Sequence, residues 1–387
     1  MGNLKIVTVE NSKDLELFIK TQSEVYKSLP LVGYVEPLKD LEKKHLDPRG
    51  DNPLFRKIAV NYFIALKNDK PVGRISAYKA FHKIFGIDEK ITGFFGHFDS
   101  IPDMDVASSL LESAEAFLKD LNCKKIIGPA SFAYDGVYGV QIKGFEYFPM
   151  IMTPWNPEYY SDLIEECGYK KIIDFFGWFI PLYVIHPRLS KIISIEDRLY
   201  KENGIKIRKA NLKKFREELE KVREIYNSAW KDNFGTVPLE EEDIEYIADN
   251  LKPLIVNEGA LISEKGGEPI GVAIGIPNFL EAIRDFGGSL NLINTIKLLW
   301  RLNKLPFSSG VPRLKSARLL ILGVKREYQE GVGVLMAAKI LLRGYELSYK
   351  YGEGSLTLEN NYEINNLIKR LGGVPYKVYR LYYKEIS

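Results

Sequence analysis

Residues 316–385 read SARLLILGVKREYQEGVGVLMAAKILLRGYELSYKYGEGSLTLENNYEINNLIKRLGGVPYKVYRLYYKE. Their order is an apolar strand, a glycine turn, a long helix, a short strand, a helix led by an asparagine, a Gly-Gly pair and an aromatic strand. A glycine turn that opens a helix after a strand suits a phosphate, because free backbone N–H groups meet the positive end of the helix there. The stretch predicts a mixed α and β fold with a cofactor site at this turn.

The composition excludes several classes of protein. The chain has 387 residues, of which 45% are hydrophobic and 27% charged, values typical of a soluble globular protein with two domains. A net charge of +3 is too small to indicate nucleic-acid binding by itself. The first residues lack the pattern of a signal peptide, and no apolar stretch approaches the roughly 20 residues of a membrane helix. We therefore expect a cytoplasmic protein that does not bind a membrane.

The metal-binding residue types are sparse. Two cysteines stand in unrelated contexts, and four histidines are scattered, so the sequence predicts neither a disulfide framework nor a metal site. Three glutamines stand against abundant lysine and glutamate, a bias common in hyperthermophile proteins. Genome composition is the alternative explanation of that bias.

The same order of elements occurs twice in the chain. Each half reads as a hairpin, a strand, a helix, a strand, an asparagine-led helix and an aromatic strand, with hairpin turns at Asn68-Asp69 and Gly266-Gly267. A diverged tandem repeat explains this order. We place the first domain at 1–186, a partly helical linker at 187–205, and the second domain at 206–387.

Two segments depart from the repeat. Residues 131–155 form a long stretch rich in glycine and aromatics, in which Tyr134, Asp135, Tyr138 and Trp155 could line a substrate pocket. A loop packed on its own aromatic residues is the equal alternative. Residues 279–310 form a helical insertion with basic residues among apolar ones, which could be an interface or a substrate lid.

These features resemble the GNAT superfamily of acyl-CoA-dependent N-acyltransferases. The resemblance is clearest over 316–385 and implies two GNAT-like domains in tandem, an α+β fold with a twisted mixed sheet flanked by helices in each domain. In this family two central strands splay apart, acyl-CoA lies in the splay, and its pyrophosphate rests on the turn before the central helix. Here that implies strand 318–324, turn 329–333, helix 334–351 and strand 355–358. The acetyl-CoA or other acyl-CoA would contact Leu322, Gly323, Val324, Gln329, Gly331, Val332, Gly333 and Asn361.

The chain departs from the family pattern at two points. Its turn, Gln329 to Gly333, is one residue short. Ile368 stands where the family has the tyrosine that protonates the leaving thiolate, and isoleucine has no proton to donate. Four tyrosines of the last strand are candidate replacements, and we select Tyr379 among Tyr376, Tyr379, Tyr382 and Tyr383.

Glu359 follows the second splayed strand and could deprotonate an amine through water. A first-turn acid that interacts with the helix dipole is the more ordinary role for this residue. In the first half the segment that would hold the phosphate carries Asp99, Asp103 and Asp105, so we expect no acyl-CoA there. His97 and Asp99 are two apart on a strand and could form an acid–base pair, although a polar strand end is the simpler interpretation.

Three functions fit these features. The first is acyl transfer from acyl-CoA to an amine of a small molecule or peptide. The second is aminoacyl transfer from aminoacyl-tRNA, since such enzymes also resemble two fused GNAT-like domains. The third is a non-catalytic GNAT-like protein that binds a ligand. Each of the three functions is compatible with a homodimer.

Overall fold

The structure, a computed structural model, describes residues 3–27, 29, 33–132, 137–231, 233–252, 254–305 and 312–386. The strands, in chain order, are β1 (Leu4–Thr8), β2 (Ile58–Lys67), β3 (Lys70–Ala80), β4 (Thr92–Ser100), β5 (Lys125–Gly128), β6 (Val140–Lys143), β7 (Lys170–Pro181), β8 (Ile205–Lys209), β9 (Ala260–Lys265), β10 (Glu268–Pro277), β11 (Ser316–Val324), β12 (Tyr351–Leu358) and β13 (Val374–Glu385). The helices are α1 (Ser12–Lys27), α2 (Lys39–Leu46), α3 (Met104–Asp120), α4 (Tyr160–Glu166), α5 (Pro187–Ile193), α6 (Glu196–Asn203), α7 (Phe215–Ala229), α8 (Glu241–Leu251), α9 (Phe279–Ile283), α10 (Leu292–Arg301), α11 (Gln329–Glu346) and α12 (Tyr362–Arg370).

The chain divides into two compact units. The first unit comprises Met1–Phe175, Arg284–Asn291 and Lys377–Ser387, and the second comprises Phe176–Ile283 and Leu292–Tyr376. The bounds of these units differ from the predicted domain bounds, because β7 and β13 each contribute residues to both units. Because β13 pairs antiparallel with β5 from Tyr382 to Glu385, the end of the chain packs with the first unit. Sequence order and compact packing therefore divide the chain differently.

The first unit is a mixed sheet with the strand order β1-β2-β3-β4-β5-β13. Strands β1 to β4 are antiparallel neighbours, and β5 is parallel to β4. The predicted turn at Asn68-Asp69 is confirmed, and both residues have positive φ, as a tight hairpin turn requires. The apolar face of α3, including Leu110, Leu111 and Leu118, packs into the core of this unit.

The second unit repeats this arrangement with the order β7-β12-β11-β10-β9-β8. Its hairpin turns at Gly266-Gly267, as predicted, and β11 and β12 are the parallel pair. The central helix α11 places Val332, Leu335 and Met336 in the core beneath β10 and β11. The predicted α+β fold, with two similar mixed sheets flanked by helices, is thus the observed one.

Two local predictions have different outcomes. The segment between the halves is helical, as α5 and α6. Asn156 is the asparagine that leads the predicted helix 157–167 of the first half, but it does not cap a helix. Its side chain instead exchanges hydrogen bonds with the backbone of Gln141, accepting at 2.7 Å and donating at 3.1 Å. The sequence could not reveal this, because β6 lies outside the repeated pattern.

Among the described residues, no helix is both long and apolar enough to cross a bilayer. The same residues contain no group of histidine, cysteine, aspartate and glutamate side chains arranged to hold a metal ion.

Candidate active site

The parallel strands β11 and β12 separate partway along their length. Their register runs from Ser316 opposite Tyr351 to Leu319 opposite Gly354, although both strands continue beyond these residues. A bulge lies at the same point on the other edge of β11, since Ile274 pairs with Ile321 and Gly275 with Leu319. A bulge bends and twists its strand, so it turns β11 away from β12. We call the opening between the two strands the fork.

The walls of the fork are apolar and partly open. Four consecutive residues of β11, Leu319 to Leu322, are half-buried, although β11 lies between two other strands. On the facing strand Leu356, Thr357 and Leu358 are half-buried, whereas Gly352 to Ser355 are buried. An apolar group in the fork would therefore be shielded from water on two sides.

A buried polar cluster stands where the fork begins. Glu353 has no exposed surface, and its carboxylate accepts hydrogen bonds from the phenol of Tyr376 and the hydroxyl of Ser355. Arg318 is the register partner of Glu353 and donates to the carbonyl of Ser355 at 3.0 Å. We call these four residues the vertex cluster. A buried carboxylate held by a phenol can take or return a proton at this point.

Ile368, in the position of the family's acid, lies next to the vertex cluster. Ile368 of α12 is buried against Gly354, where an added Cβ would lie 3.4 Å from the Ile368 Cδ1. Isoleucine thus packs beside Glu353 without a proton to give, and the hydroxyl that reaches the carboxylate comes from Tyr376 of β13. The sequence offered a signal for Glu353 and Arg318, since each is a charged residue inside an apolar strand.

The predicted phosphate turn is the start of the central helix. A single 3-10 turn, Arg326–Tyr328, follows β11, and α11 begins at Gln329, so Gly331 and Gly333 lie within the helix. Gly331 has φ +79°, which glycine adopts without strain. Tyr328, in the N-cap position, makes no side-chain capping hydrogen bond to the first N–H groups of α11.

The other residues predicted to contact acyl-CoA lie on β11, in the first turn of α11 and at the start of α12. Val332 and Val324 are buried in the core, and Leu322 packs against it. Gly323 lies under the indole of Trp230, which would be 2.1 Å from an added Cβ. Asn361 caps α12 and accepts from the Ile364 N–H at 3.3 Å, as its sequence position suggests.

The lysine that follows β11 forms hydrogen bonds within the second unit. Lys325 is buried, and its ammonium donates to Glu224 at 2.6 Å and to Glu268 at 2.8 Å. Two carboxylates of the protein therefore balance the charge of Lys325.

The two residues selected for catalysis belong to different units. Glu359 is half-buried in the turn after β12 in the second unit. Tyr379 belongs to the first unit, where it is fully buried in β13 opposite Gln141 of β6. Tyr376 occupies the vertex cluster instead, because alternation along β13 gives neighbouring tyrosines different surroundings.

The first unit contains a related fork that its own chain fills. The register of β4 with β5 covers Thr92 to Phe94, and β4 continues to Ser100 with nearly every residue buried. After β5 the chain turns back, and the ring of Phe132, which has no exposed surface, lies 5.2 Å from that of His97. The apolar space that is open in the second unit is thus occupied here.

In the first unit, a side chain of the same unit caps the N-terminus of the corresponding helix, α3. Asp103 caps α3 and accepts hydrogen bonds from the N–H groups of Asp105 at 3.0 Å and Val106 at 3.4 Å. The Lys67 ammonium donates to the same carboxylate at 2.6 Å, and this hydrogen bond lowers the pKa of Asp103. A phosphate would meet a carboxylate here, in contrast to the uncapped start of α11.

The proposed His97–Asp99 pair does not form. Asp99 accepts a hydrogen bond from the buried guanidinium of Arg74 at 2.6 Å and another from Tyr26, whereas His97 Nδ1 lies 2.8 Å from the Ser76 hydroxyl. The bulge between Arg74 and Ser76 breaks the alternation that would have placed both residues on one face.

Part of the predicted loop pocket can be located. Tyr134 and Asp135 lie outside the described residues. Tyr138 stacks on Phe175 with ring centroids 6.4 Å apart, and Trp155 packs between Tyr26 and Tyr34 at 5.4 and 5.5 Å. These two residues therefore pack on aromatic neighbours of the first unit.

Two known proteins align with nearly the whole chain. Over 388 residues the chain is 35% identical to Protein YghO of Escherichia coli (strain K12), covering 98% of this chain and 95% of that protein. It is 29% identical over 393 residues to the bacterial ceramide synthase of Caulobacter vibrioides, covering 100% of this chain and 98% of that protein. No family model matches the sequence.

Solved structures show the same fold at low identity. A tandem GNAT protein from the clavulanic acid biosynthesis pathway superposes with a TM-score of 0.59 at 11% identity, covering 100% of this chain and 99% of that one. A GCN5-related N-acetyltransferase from Sphaerobacter thermophilus gives 0.51 at 12% identity, covering 98% and 96%. The chain therefore belongs to the family of Protein YghO, and its fold is the tandem form of the GNAT superfamily.

Proposed function

We propose that this protein is an N-acyltransferase that moves an acyl group from acyl-CoA to the amine of a long-chain, apolar acceptor. Two observations carry the proposal: the fork of the second unit has an apolar wall along Leu319 to Leu322, and the start of α11, one 3-10 turn after β11, has no side-chain cap. The first unit has the same strand arrangement with the space filled and the helix capped. The contrast supports one acyl-CoA site in the second unit.

The start of α11 fits the phosphate end of acyl-CoA. No side chain at the N-cap position covers the start of α11, and Gly331 lets a phosphate approach the backbone because it has no side chain. The separated edges of β11 and β12 offer backbone donors and acceptors to the chain between the phosphates and the thioester. The thioester, when bound, supplies an activated acyl carbon.

The vertex cluster supplies proton transfer in this proposal. In the reaction the amine nitrogen attacks the thioester carbonyl carbon, a C–N bond forms and the C–S bond breaks. The amine must lose a proton, and the thiolate must gain one. The Tyr376 oxygen can accept the amine proton while its own proton passes to Glu353, because a phenol both donates and accepts. Solvent then protonates the thiolate. Glu359, acting through water, is the alternative base.

The class of acceptor rests on two independent supports. The β11 wall of the fork consists of leucine and isoleucine, which suit a hydrocarbon chain. The Caulobacter relative is named for ceramide synthesis, and a ceramide is an N-acylated long-chain amino alcohol. We therefore favour a fatty acyl-CoA and a long-chain amine over an acetyl group and a polar amine.

The direct test incubates the purified protein with palmitoyl-CoA and sphinganine, and follows both CoA release and the N-acyl product by mass spectrometry. We expect product with this pair, and much less with acetyl-CoA or with glucosamine as the acceptor. Turnover restricted to acetyl-CoA and polar amines would support acyl transfer but contradict the proposal of a long-chain acceptor. No CoA release with any pair would contradict the whole proposal.

A thermal-shift series separates binding from turnover. A ligand at 100 times its Kd should stabilise the protein by about 2.7 kcal/mol. Stabilisation by palmitoyl-CoA without turnover would favour the non-catalytic alternative. Association with tRNA that weakens steeply with salt, without any effect of CoA, would favour aminoacyl transfer instead.

A further inference from the structure

Helix α10, Leu292–Arg301, presents apolar side chains to solvent. Leu292 is 77% exposed, Ile293 66%, Ile296 53% and Trp300 49%. Residues spaced by three, four and seven or eight positions lie on one face of a helix, so these four form a continuous apolar face. We call it the α10 face. On the opposite side Asn294 is buried, which reverses the usual pattern of a surface helix.

The surroundings of the α10 face are basic. Residues 292–305 include Lys297, Arg301 and Lys304 and contain no aspartate or glutamate. The guanidinium of Arg313, an exposed residue, lies 4.7 Å from the ring centroid of Trp300. The Arg313 N–H donates to the Arg301 carbonyl at 2.7 Å, which fixes this arginine at the end of the helix. A cation is thus held directly beside an exposed indole.

In contrast to the expectation from the sequence, we propose that the α10 face docks the protein on the surface of an anionic phospholipid bilayer. Exposed leucine, isoleucine and tryptophan on one face with lysine and arginine at its border are the features of a helix that lies in a membrane interface. Tryptophan favours that boundary because its ring is apolar and its N–H is polar. Ten residues span about 15 Å, so α10 would lie along the surface and not cross it.

Charge favours lipid over a second copy of the chain as the occupant. In a two-fold interface the α10 face would meet itself, so the basic residues of both copies would converge and repel one another. Anionic headgroups neutralise the same residues. The inference rests on α10 and Arg313, and it stands whether or not the protein transfers acyl groups.

The test is co-sedimentation of the full-length protein with phosphatidylcholine vesicles, prepared with and without phosphatidylglycerol. We expect binding to the anionic vesicles, together with a shift of tryptophan emission to shorter wavelength. The double variant Ile293→Glu/Ile296→Glu should lower the partition coefficient by roughly tenfold or more, because two apolar side chains no longer enter the interface. Arg313→Gln should lower it about fivefold on anionic vesicles and leave binding to neutral ones unchanged.

Two controls keep the result specific. Tyr200→Glu changes a similarly exposed aromatic residue on α6 and should leave vesicle binding unchanged. Trp300→Phe should remove the emission shift and retain most of the binding. Melting temperatures show whether each variant is folded, and CoA release from a water-soluble acyl donor shows whether catalysis is affected separately.

Three results would overturn the proposal. The wild-type protein could fail to bind anionic vesicles, or it could bind them equally well with both isoleucines replaced. Alternatively, the protein could form a dimer that the double variant dissociates, with no vesicle binding in either form. The last result would assign the α10 face to a second copy of the chain.

Discussion

The phenol of Tyr376 donates a hydrogen bond to the buried carboxylate of Glu353. Glu353 stands in the register that pairs β12 with β11, one residue before that pairing ends at Gly354. The carboxylate is therefore fixed where the fork opens, and the phenol is the group through which it can exchange a proton.

Tyr376→Phe should lower the rate constant of acyl transfer by roughly 100-fold, the smaller end of what a positioned acid–base group contributes. Binding of acyl-CoA should change little, because we assign its phosphates to the start of α11 and not to the side chain of Tyr376. The measurement is kcat and the acyl-CoA Kd for the wild type and the variant.

Tyr382→Phe is the matched control, since it removes a phenol-to-carboxylate hydrogen bond of 2.8 Å to Glu165 from the same strand in the first unit. Each substitution should cost about 1–3 kcal/mol of unfolding free energy. Equal rate losses in both variants would mean that the effect is structural, and Tyr376 would lose its assigned role.

Gly331→Val should abolish stabilisation by acyl-CoA. A β-branched side chain is strained at φ +79° and would cover the N–H groups at the start of α11. Gly204→Val is the control, because Gly204 also has positive φ (+67°) and no atom within 4 Å of an added Cβ. Both variants should lose a similar amount of thermal stability. If acyl-CoA still raises the melting temperature of the Gly331 variant, the start of α11 is not the phosphate site.

Asp103→Ala should destabilise the protein by about 1 kcal/mol, the usual effect of removing a helix N-cap. Because the pKa of Asp103 is lowered in the folded state, its contribution is present above the ordinary aspartate pKa and is lost as pH falls through the folded value. Acyl-CoA binding should not change, since we assign that site to the second unit. A weakened affinity would place the acyl-CoA on the first unit instead.

His97 should make the protein less stable in mild acid. Burial, with smaller contributions from Arg74 and His45, holds the pKa of this imidazole well below its usual value. In the unfolded chain the imidazole takes a proton near pH 6.5, so the unfolding free energy falls as pH drops below that value, by at most about 1.4 kcal/mol per pH unit. His97→Asn tolerates the positive φ of +46° and should flatten this dependence between pH 6.5 and 5. Denaturant titrations at several pH values measure it, and identical slopes for both proteins would refute it.

Much of the fold was predictable because its signals are local. The turn residues Asn68-Asp69 and Gly266-Gly267 require positive φ, and the periods of apolar residues separate strands from helices within a short window. The repeated order of these elements can therefore be recognised in the amino-acid sequence. The position of the phosphate turn was less accurate, since the sequence does not tell whether Gly331 precedes a helix or lies within its first turn.

The candidate site depended on pairing between distant residues. Tyr376 reaches Glu353 through strand register, and a bulge on β11 decides where the fork opens, which no local pattern encodes. The two units also differ in features that depend on tertiary packing, because Phe132 fills one fork while the other stays open.

The sequence by itself determined the class of fold, the two-fold repeat and the absence of the family's tyrosine at Ile368, because these follow from local periodicity and residue identity. The tertiary structure decided which tyrosine meets a buried carboxylate, which helix start is left uncapped and which apolar helix face remains exposed. Those outcomes depend on strand register and long-range packing, which join residues that are far apart in the chain.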